Sequence, residues 1–201
     1  MLDARLRPLI DPPLNRAGRM LARLGVSANA LTFTGLALGL AGAGAIAFGH
    51  FGWGLALILA NRLADGLDGA VARARGPSDL GGYFDIVADF AFYVSVPVGF
   101  GLLAPVNTLP ALVLVASFVL TGVSFLAFAV IAAKRGATTE AHGKKSFFYS
   151  TGLAEGAETI LVFIAMCLWP AGFGAIAYAY AALCVLTVIQ RSAMAARCFS
   201  D

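Results

Sequence analysis

The chain has 201 residues, 60% of them hydrophobic and only 12% charged, with a formal net charge of +3 and a mean hydropathy of +0.84. Too little polar surface is present to coat a soluble globule of this size, so the composition indicates an integral membrane protein. It gives no reason to expect a nucleic-acid partner, and Cys167, Cys184 and Cys198, which lack metal spacing, read as small packing residues.

Residues 1–27 mix Arg5, Arg7, Arg16, Arg19 and Arg23 with Leu2, Leu6, Leu9, Ile10, Leu14, Met20, Leu21 and Leu24, interrupted by Pro8, Pro12 and Pro13. This pattern reads as an amphipathic segment on an anionic membrane surface, ahead of one transmembrane domain over 28–201. No removable signal peptide is expected, because the first apolar run is followed by further spans. Span 1 is expected over about 28–48, with Ser27 and Asn29 as candidate caps and Gly35, Gly39, Gly42 and Gly44 permitting close helix packing. After the turn His50-Phe51-Gly52-Trp53, span 2 (54–73) carries Asn61, Arg62, Asp65 and Asp68 in its second half. Span 3 (81–103) carries Asp85 and Asp89 in its first half, and span 4 follows over 111–133. Beyond a basic loop with Lys134, Arg135, Lys144 and Lys145, span 5 (146–169) contains Glu155 and Glu158, and span 6, after Pro170-Ala171, ends near Arg191 and Arg197. The expected fold is all-α: six transmembrane helices behind an amphipathic N-terminal segment.

Charge supports that count. Every lysine and arginine except Arg62 falls on one side of the six-span arrangement, which makes that side cytoplasmic. Both termini and the mouth of the acidic stretch are expected there.

Four carboxylates stand out in so apolar a chain. Asp65 and Asp68 are three residues apart and Asp85 and Asp89 four apart, so each pair projects from one helix face. Gly76-Pro77 breaks the chain between them and lets the two helices fold back. Carboxylates gathered at low dielectric require protons or a cation, and hard oxygen donors without nearby His or Cys suit Mg²⁺ or Mn²⁺. Arg62 stands one turn before Asp65 and can pair with it.

Written out, the stretch is D-x-x-D-G-x-x-A-R, seven residues, then G-x-x-x-D-x-x-x-D, from Asp65, Asp68, Gly69, Ala72, Arg73, Gly81, Asp85 and Asp89. It resembles the signature of the CDP-alcohol phosphatidyltransferases, with a turn between the arginine and the second glycine one residue shorter than the family more often has. The resemblance implies transfer of a phosphatidyl group from a CDP-alcohol, CDP-diacylglycerol foremost, to the hydroxyl of an acceptor alcohol, with release of CMP, in phospholipid biosynthesis. It further implies a divalent metal on Asp65, Asp68 and Asp85, with Asp89 as general base or additional ligand, and a homodimer in the cell's inner membrane. Gly69, Ala72 and Gly81 keep one face small where a nucleotide must approach, and Arg73 can fork onto a phosphate or orient a carboxylate.

The acceptor is expected near the cytoplasmic ends of spans 4 to 6, ringed by Lys134, Arg135, Lys144, Lys145 and Arg191. Arg191, nearest the membrane, is the candidate acceptor-binding cation. Glu155 and Glu158 are candidates to receive an acceptor's ammonium or hydroxyls, and their sign argues against a purely anionic acceptor. Other readings compete, among them a catalytically idle membrane scaffold, disfavoured because buried carboxylates are costly without a ligand. An aspartate-rich membrane prenyltransferase also binds metal-pyrophosphate, and a divalent-cation transporter also needs acidic residues within its spans.

Overall fold

The computed structural model describes residues 2–135 and 154–200. These form seven α-helices: α1 (Leu2–Arg23), α2 (Ala28–Ala47), α3 (Phe51–Arg75), α4 (Asp79–Leu103), α5 (Pro105–Lys134), α6 (Gly156–Leu168) and α7 (Phe173–Phe199), with a 3-10 turn, Pro170–Gly172, ahead of α7. There is no strand among the described residues. Lys144, Lys145 and the first part of the expected span 5 lie outside them.

Four segments are long and apolar enough to cross a membrane: Ala28–Ala47, Asp79–Leu103, Pro105–Lys134 and Pro170–Phe199. α3, with 25 residues, reaches about 37 Å at 1.5 Å per residue, but its charged second half keeps it from being counted as apolar. α6 has 13 residues, roughly 20 Å of helix against a hydrocarbon core of about 30 Å. Glu155 was expected within a span and instead precedes α6 in an extended conformation, while Glu158 lies in the first turn. The cause is a tertiary contact: the Ala154 N–H donates to Thr187 Oγ1 on α7 at 3.0 Å, which pins the chain before the helix begins.

α1 runs through Pro8, Pro12 and Pro13 as one helix and ends where Gly25 adopts φ +87°. There the Val26 N–H reaches back to the Leu21 carbonyl and the Gly25 N–H to that of Ala22, both at 3.1 Å, closing the helix and turning the chain into α2. α1 packs on α3. A Cβ on Gly18 would stand 2.5 Å from the Ala70 Cβ, so the two backbones meet at closest approach. Gly18→Leu is therefore expected to lever α1 off α3 and cost about 1–3 kcal/mol, seen as a lowered unfolding temperature in detergent. The opposite side of α1 exposes Ile10, Met20 and Leu24 together with Arg16, Arg19 and Arg23.

α2 is the common backing for α3 and α4. On α2 a Cβ at Gly39 would stand 2.5 Å from the Phe92 ring of α4 and 3.1 Å from Asn61 Nδ2 of α3. Gly35 and Gly42 likewise sit against α3, whereas Gly44 faces open space. α5 pairs with α7 and also contacts α4. The core where they meet is aromatic: Phe92 and Phe163 approach edge-on at 5.9 Å, Phe118 and Phe163 at 6.2 Å, and Phe100 stacks on Phe173 at 4.5 Å. Outside, Leu40, Leu59, Leu120, Val130 and Ile189 are exposed. An apolar exterior around charged interior groups is the arrangement a lipid solvent requires.

Candidate active site

The expectation that α3 and α4 fold back after Gly76-Pro77 holds, with a difference that matters. The two helices hardly touch, because α2 packs against both, and a groove remains between them. Gly76, with φ +97°, makes the turn, and Ser78 starts α4 by accepting the Gly81 N–H at 3.1 Å. Asp68 and Asp85 therefore face the groove near one end of the bundle, and Asp65 and Asp89 line a small void beside Asp68.

Asp65, Asp68 and Asp85 each bring a carboxylate oxygen within 4.8 Å of the others. An ion bound at about 2.1 Å allows oxygens up to about 4.2 Å apart, so small side-chain rotations bring all three into coordination of Mg²⁺ or Mn²⁺. The donor set is all oxygen, as those ions prefer. Asp68 is buried, and the Thr32 hydroxyl of α2 lies 2.7 Å from its Oδ2, holding the carboxylate in place.

Asp89 stands outside this trio. Its Oδ1 accepts from Arg62 Nη2 at 3.0 Å, while Arg62 Nη1 lies 3.6 Å from Asp65 Oδ2, so one guanidinium spans both acidic pairs. Arg62 is itself fixed on several sides. Its Nε donates to Asn61 Oδ1 at 2.7 Å, Asn61 Nδ2 donates to the Gly35 carbonyl at 2.7 Å, and the guanidinium lies 4.4 Å from the centre of the Phe92 ring. A cation placed so offsets part of the repulsion among the carboxylates.

Two cavities flank the acidic wall. The first, about 380 Å³, lies between α3 and α4 and is lined by Asp68, Gly69, Ala72, Arg75, Gly81 and Asp85 among others. The second, about 460 Å³, is bounded by α4, α5, α7 and the start of α6, and Asp89, Tyr93, Thr121, Glu155, Thr159 and Arg191 line it. Asp85 opens on the first and Asp89, one turn on, opens on the second.

Most residues singled out from sequence thus gather in one region. Gly69, Ala72 and Gly81 line the first cavity as small residues should, while Arg73 is not among its lining residues and donates from Nε and Nη2 to Asn15 Oδ1 of α1 at 3.2 and 3.0 Å. Arg75 takes the lining position and also reaches the Val26 carbonyl at 3.0 Å. Arg191 and Glu155 share the second cavity; Glu158 is not among its lining residues. Arg135 donates to the Phe199 carbonyl at 2.9 Å, joining the ends of α5 and α7. Thr32, Asn15, Arg75 and Tyr93 carry parts of the site that no sequence spacing marked.

Comparison with known proteins agrees with this geometry. Residues 25–192 match the sequence model of the CDP-alcohol phosphatidyltransferases, and the chain belongs to that family. It is therefore an integral membrane enzyme of phospholipid synthesis, moving a substituted phosphate group from a CDP-alcohol to a second alcohol with the help of a divalent metal. The chain is 46% identical over 192 residues to the inner membrane protein YnjF of Escherichia coli K12, covering 95% of this chain and 93% of that one. It is 32% identical over 100 residues to the archaetidylinositol phosphate synthase of Pyrococcus horikoshii, covering 49% of this chain and 53% of that protein. The fold is similar to that of the Mycobacterium tuberculosis phosphatidylinositol phosphate synthase with CDP-DAG bound: TM-score 0.64 and 24% identity over 89% of this chain and 90% of that one. The same enzyme with manganese and citrate gives a TM-score of 0.63 at 24% identity, over 89% and 86% of the two chains. At that identity the likeness is one of fold. The prenyltransferase and transporter readings fall with the family match.

Proposed function

We propose that the enzyme transfers the phosphatidyl group of CDP-diacylglycerol to an acceptor hydroxyl, with the donor's nucleotide in the first cavity and the acceptor in the second. The observation that carries this reading is the pair Asp85 and Asp89, one turn apart on α4 and opening into different cavities. The reacting phosphorus then sits at the wall between them.

Asp65, Asp68 and Asp85 would hold the divalent ion in this reading, with Asp89 outside the trio and joined to Asp65 through Arg62. When bound, the ion neutralises pyrophosphate charge and stabilises the departing CMP. Gly69, Ala72 and Gly81 leave room for the cytidine and its phosphates, and Arg75 supplies a positive charge at the same cavity. Asp89 takes the proton of the acceptor hydroxyl. As that oxygen bonds to the phosphatidyl phosphorus, the bond from phosphorus to the bridging oxygen of CMP breaks, and its electron pair leaves with CMP. Arg62 keeps Oδ1 of Asp89 engaged and so aims the carboxylate across the wall.

The remainder of the membrane arrangement follows from charge. α1 lies on the cytoplasmic surface with Ile10, Met20 and Leu24 toward lipid, α3 and the expected span 5, of which α6 is the described part, complete a set of six spans, and both termini are cytoplasmic; the apolar exterior offers a surface through which two copies associate.

Altering each cavity separately tests the division of labour. Ala72→Trp is expected to raise the donor KM by about tenfold or more and leave the acceptor KM nearly unchanged, whereas Arg191→Ala does the reverse. Equal effects of either variant on both constants would contradict the assignment. Thr32→Val removes the hydroxyl that orients Asp68, and the Mg²⁺ concentration for half-maximal rate is expected to rise about 10–100-fold.

A further inference from the structure

Asp89 lies one turn from Asp85 on α4, yet it stands outside the trio of carboxylates that approach within 4.8 Å of one another. The group beside it is the Arg62 guanidinium. We infer that Arg62, tethered by Asn61 to the backbone of α2, is a positioning residue that keeps Asp89 off the divalent ion and reserves it as a base. This rests on the reading of the site given above, and it decides between the two roles open to Asp89, base or additional ligand.

Each of the three nitrogens of Arg62 has a protein partner. Nη2 donates to Asp89 Oδ1 at 3.0 Å, Nη1 lies 3.6 Å from Asp65 Oδ2 and 3.4 Å from the Tyr93 hydroxyl, and Nε donates to Asn61 Oδ1 at 2.7 Å. Arg62 is not among the lining residues of either large cavity; with Asn61, Asp65 and Asp89 it lines the small void beside Asp68. Its fork is therefore engaged with the protein rather than presented to a phosphate. Asn61 is the anchor. It is buried, its Nδ2 donates to the Gly35 carbonyl at 2.7 Å, and a Cβ on Gly39 would stand 3.1 Å from that nitrogen. The glycines of α2 thus leave the space the amide needs. With the Phe92 ring 4.4 Å from the guanidinium, these contacts converge on one placement of a cation that is costly inside a membrane protein.

Two effects follow from a cation fixed there. Turning Asp89 Oδ1 toward the ion would break a charge-assisted hydrogen bond. The guanidinium charge also opposes a divalent ion on the Asp89 side, where low dielectric strengthens the repulsion. Without Arg62, the Asp89 carboxylate can turn toward the trio, one helical turn away. A further carboxylate binds the ion more tightly, but a carboxylate held by the ion is a poorer base.

The test measures Mn²⁺ binding by the purified full chain in detergent without nucleotide, beside CMP release from CDP-diacylglycerol with a panel of free alcohols and their phosphate esters. Arg62→Met is expected to bind Mn²⁺ about tenfold more tightly than wild type, while kcat falls by about 10²-fold. An arginine that only supports the fold would instead weaken both. Adding Asp89→Asn to Arg62→Met is expected to abolish the gain in affinity, since the extra ligand is then an amide. Arg62→Lys retains the buried charge, and so the fold, but not the fork; it is expected to lose about tenfold in kcat with the donor KM nearly unchanged. Mn²⁺ affinity that is unchanged or lower in Arg62→Met overturns the inference. So does a gain that survives in the double variant, or wild-type turnover in Arg62→Lys. Mn²⁺ binding that Asp85→Asn leaves unchanged would instead overturn the metal trio itself, and the inference with it.

Discussion

Asp85→Asn is expected to abolish CMP release, lowering kcat by about 10³-fold or more, while the protein unfolds at nearly the wild-type temperature. The two halves of that expectation have different causes. Asp85 is exposed at the groove, so exchanging its carboxylate for an amide disturbs no buried contact. It is also one of three carboxylates close enough to share an ion, and the amide removes a full negative charge from that set. Asp68→Asn is a less clean experiment, because Asp68 is buried and accepts the Thr32 hydroxyl, so folding and metal binding change together. CMP release titrated with Mg²⁺ and Mn²⁺ checks the result; wild-type turnover in Asp85→Asn would remove the metal site from its place between α3 and α4.

Asp89→Asn is expected to lower kcat by about 10²–10⁴-fold with the donor KM unchanged. The amide is the informative choice. Its oxygen can still accept from Arg62 Nη2, as Asp89 Oδ1 does at 3.0 Å, so the guanidinium keeps its place over Phe92 and its approach to Asp65. Alanine would leave Arg62, a largely buried cation, short of a partner, and would confuse loss of a base with rearrangement of the site. Steady-state rates together with CDP-diacylglycerol binding separate the two. Unchanged turnover would assign the base elsewhere, and a donor KM raised in step with the fall in rate would make Asp89 chiefly a binding group.

The acidic stretch was readable from sequence because helical periodicity is local: residues three or four apart share a face whatever surrounds them. The same local rule anticipated the Ser27 cap, the pairing of Arg62 with Asp65, and the turn at Gly76-Pro77. What spacing does not encode is which helix stands behind which. The Thr32 hydroxyl is 36 positions from Asp68 and reaches it only because α2 backs both α3 and α4. Arg73 was expected to fork onto a phosphate or orient a carboxylate, and its contact with Asn15 could not be foreseen, because it arises only where α1 lies across α3 with Gly18 against Ala70. Arg75, two residues on, is then left at the cavity. Glu155 fell outside α6 for a similar reason, since Thr187 of α7 holds the preceding N–H and delays the helix. Each difference arises from a contact between elements distant in sequence, whereas the alternation that marked the elements themselves was visible in any short window.

The central claim is that the carboxylates of α3 and α4 hold a divalent cation on which CMP release from a CDP-alcohol depends. It is tested most directly by following CMP from CDP-diacylglycerol with a panel of free alcohols and their phosphate esters, after complete chelation and stepwise return of Mg²⁺ or Mn²⁺, in wild type and Asp85→Asn side by side. The account predicts no CMP under chelation, recovery with metal in the wild type, and no recovery in the variant at concentrations that saturate the wild type. CMP release that is insensitive to chelation, or equal in the two proteins, would contradict it.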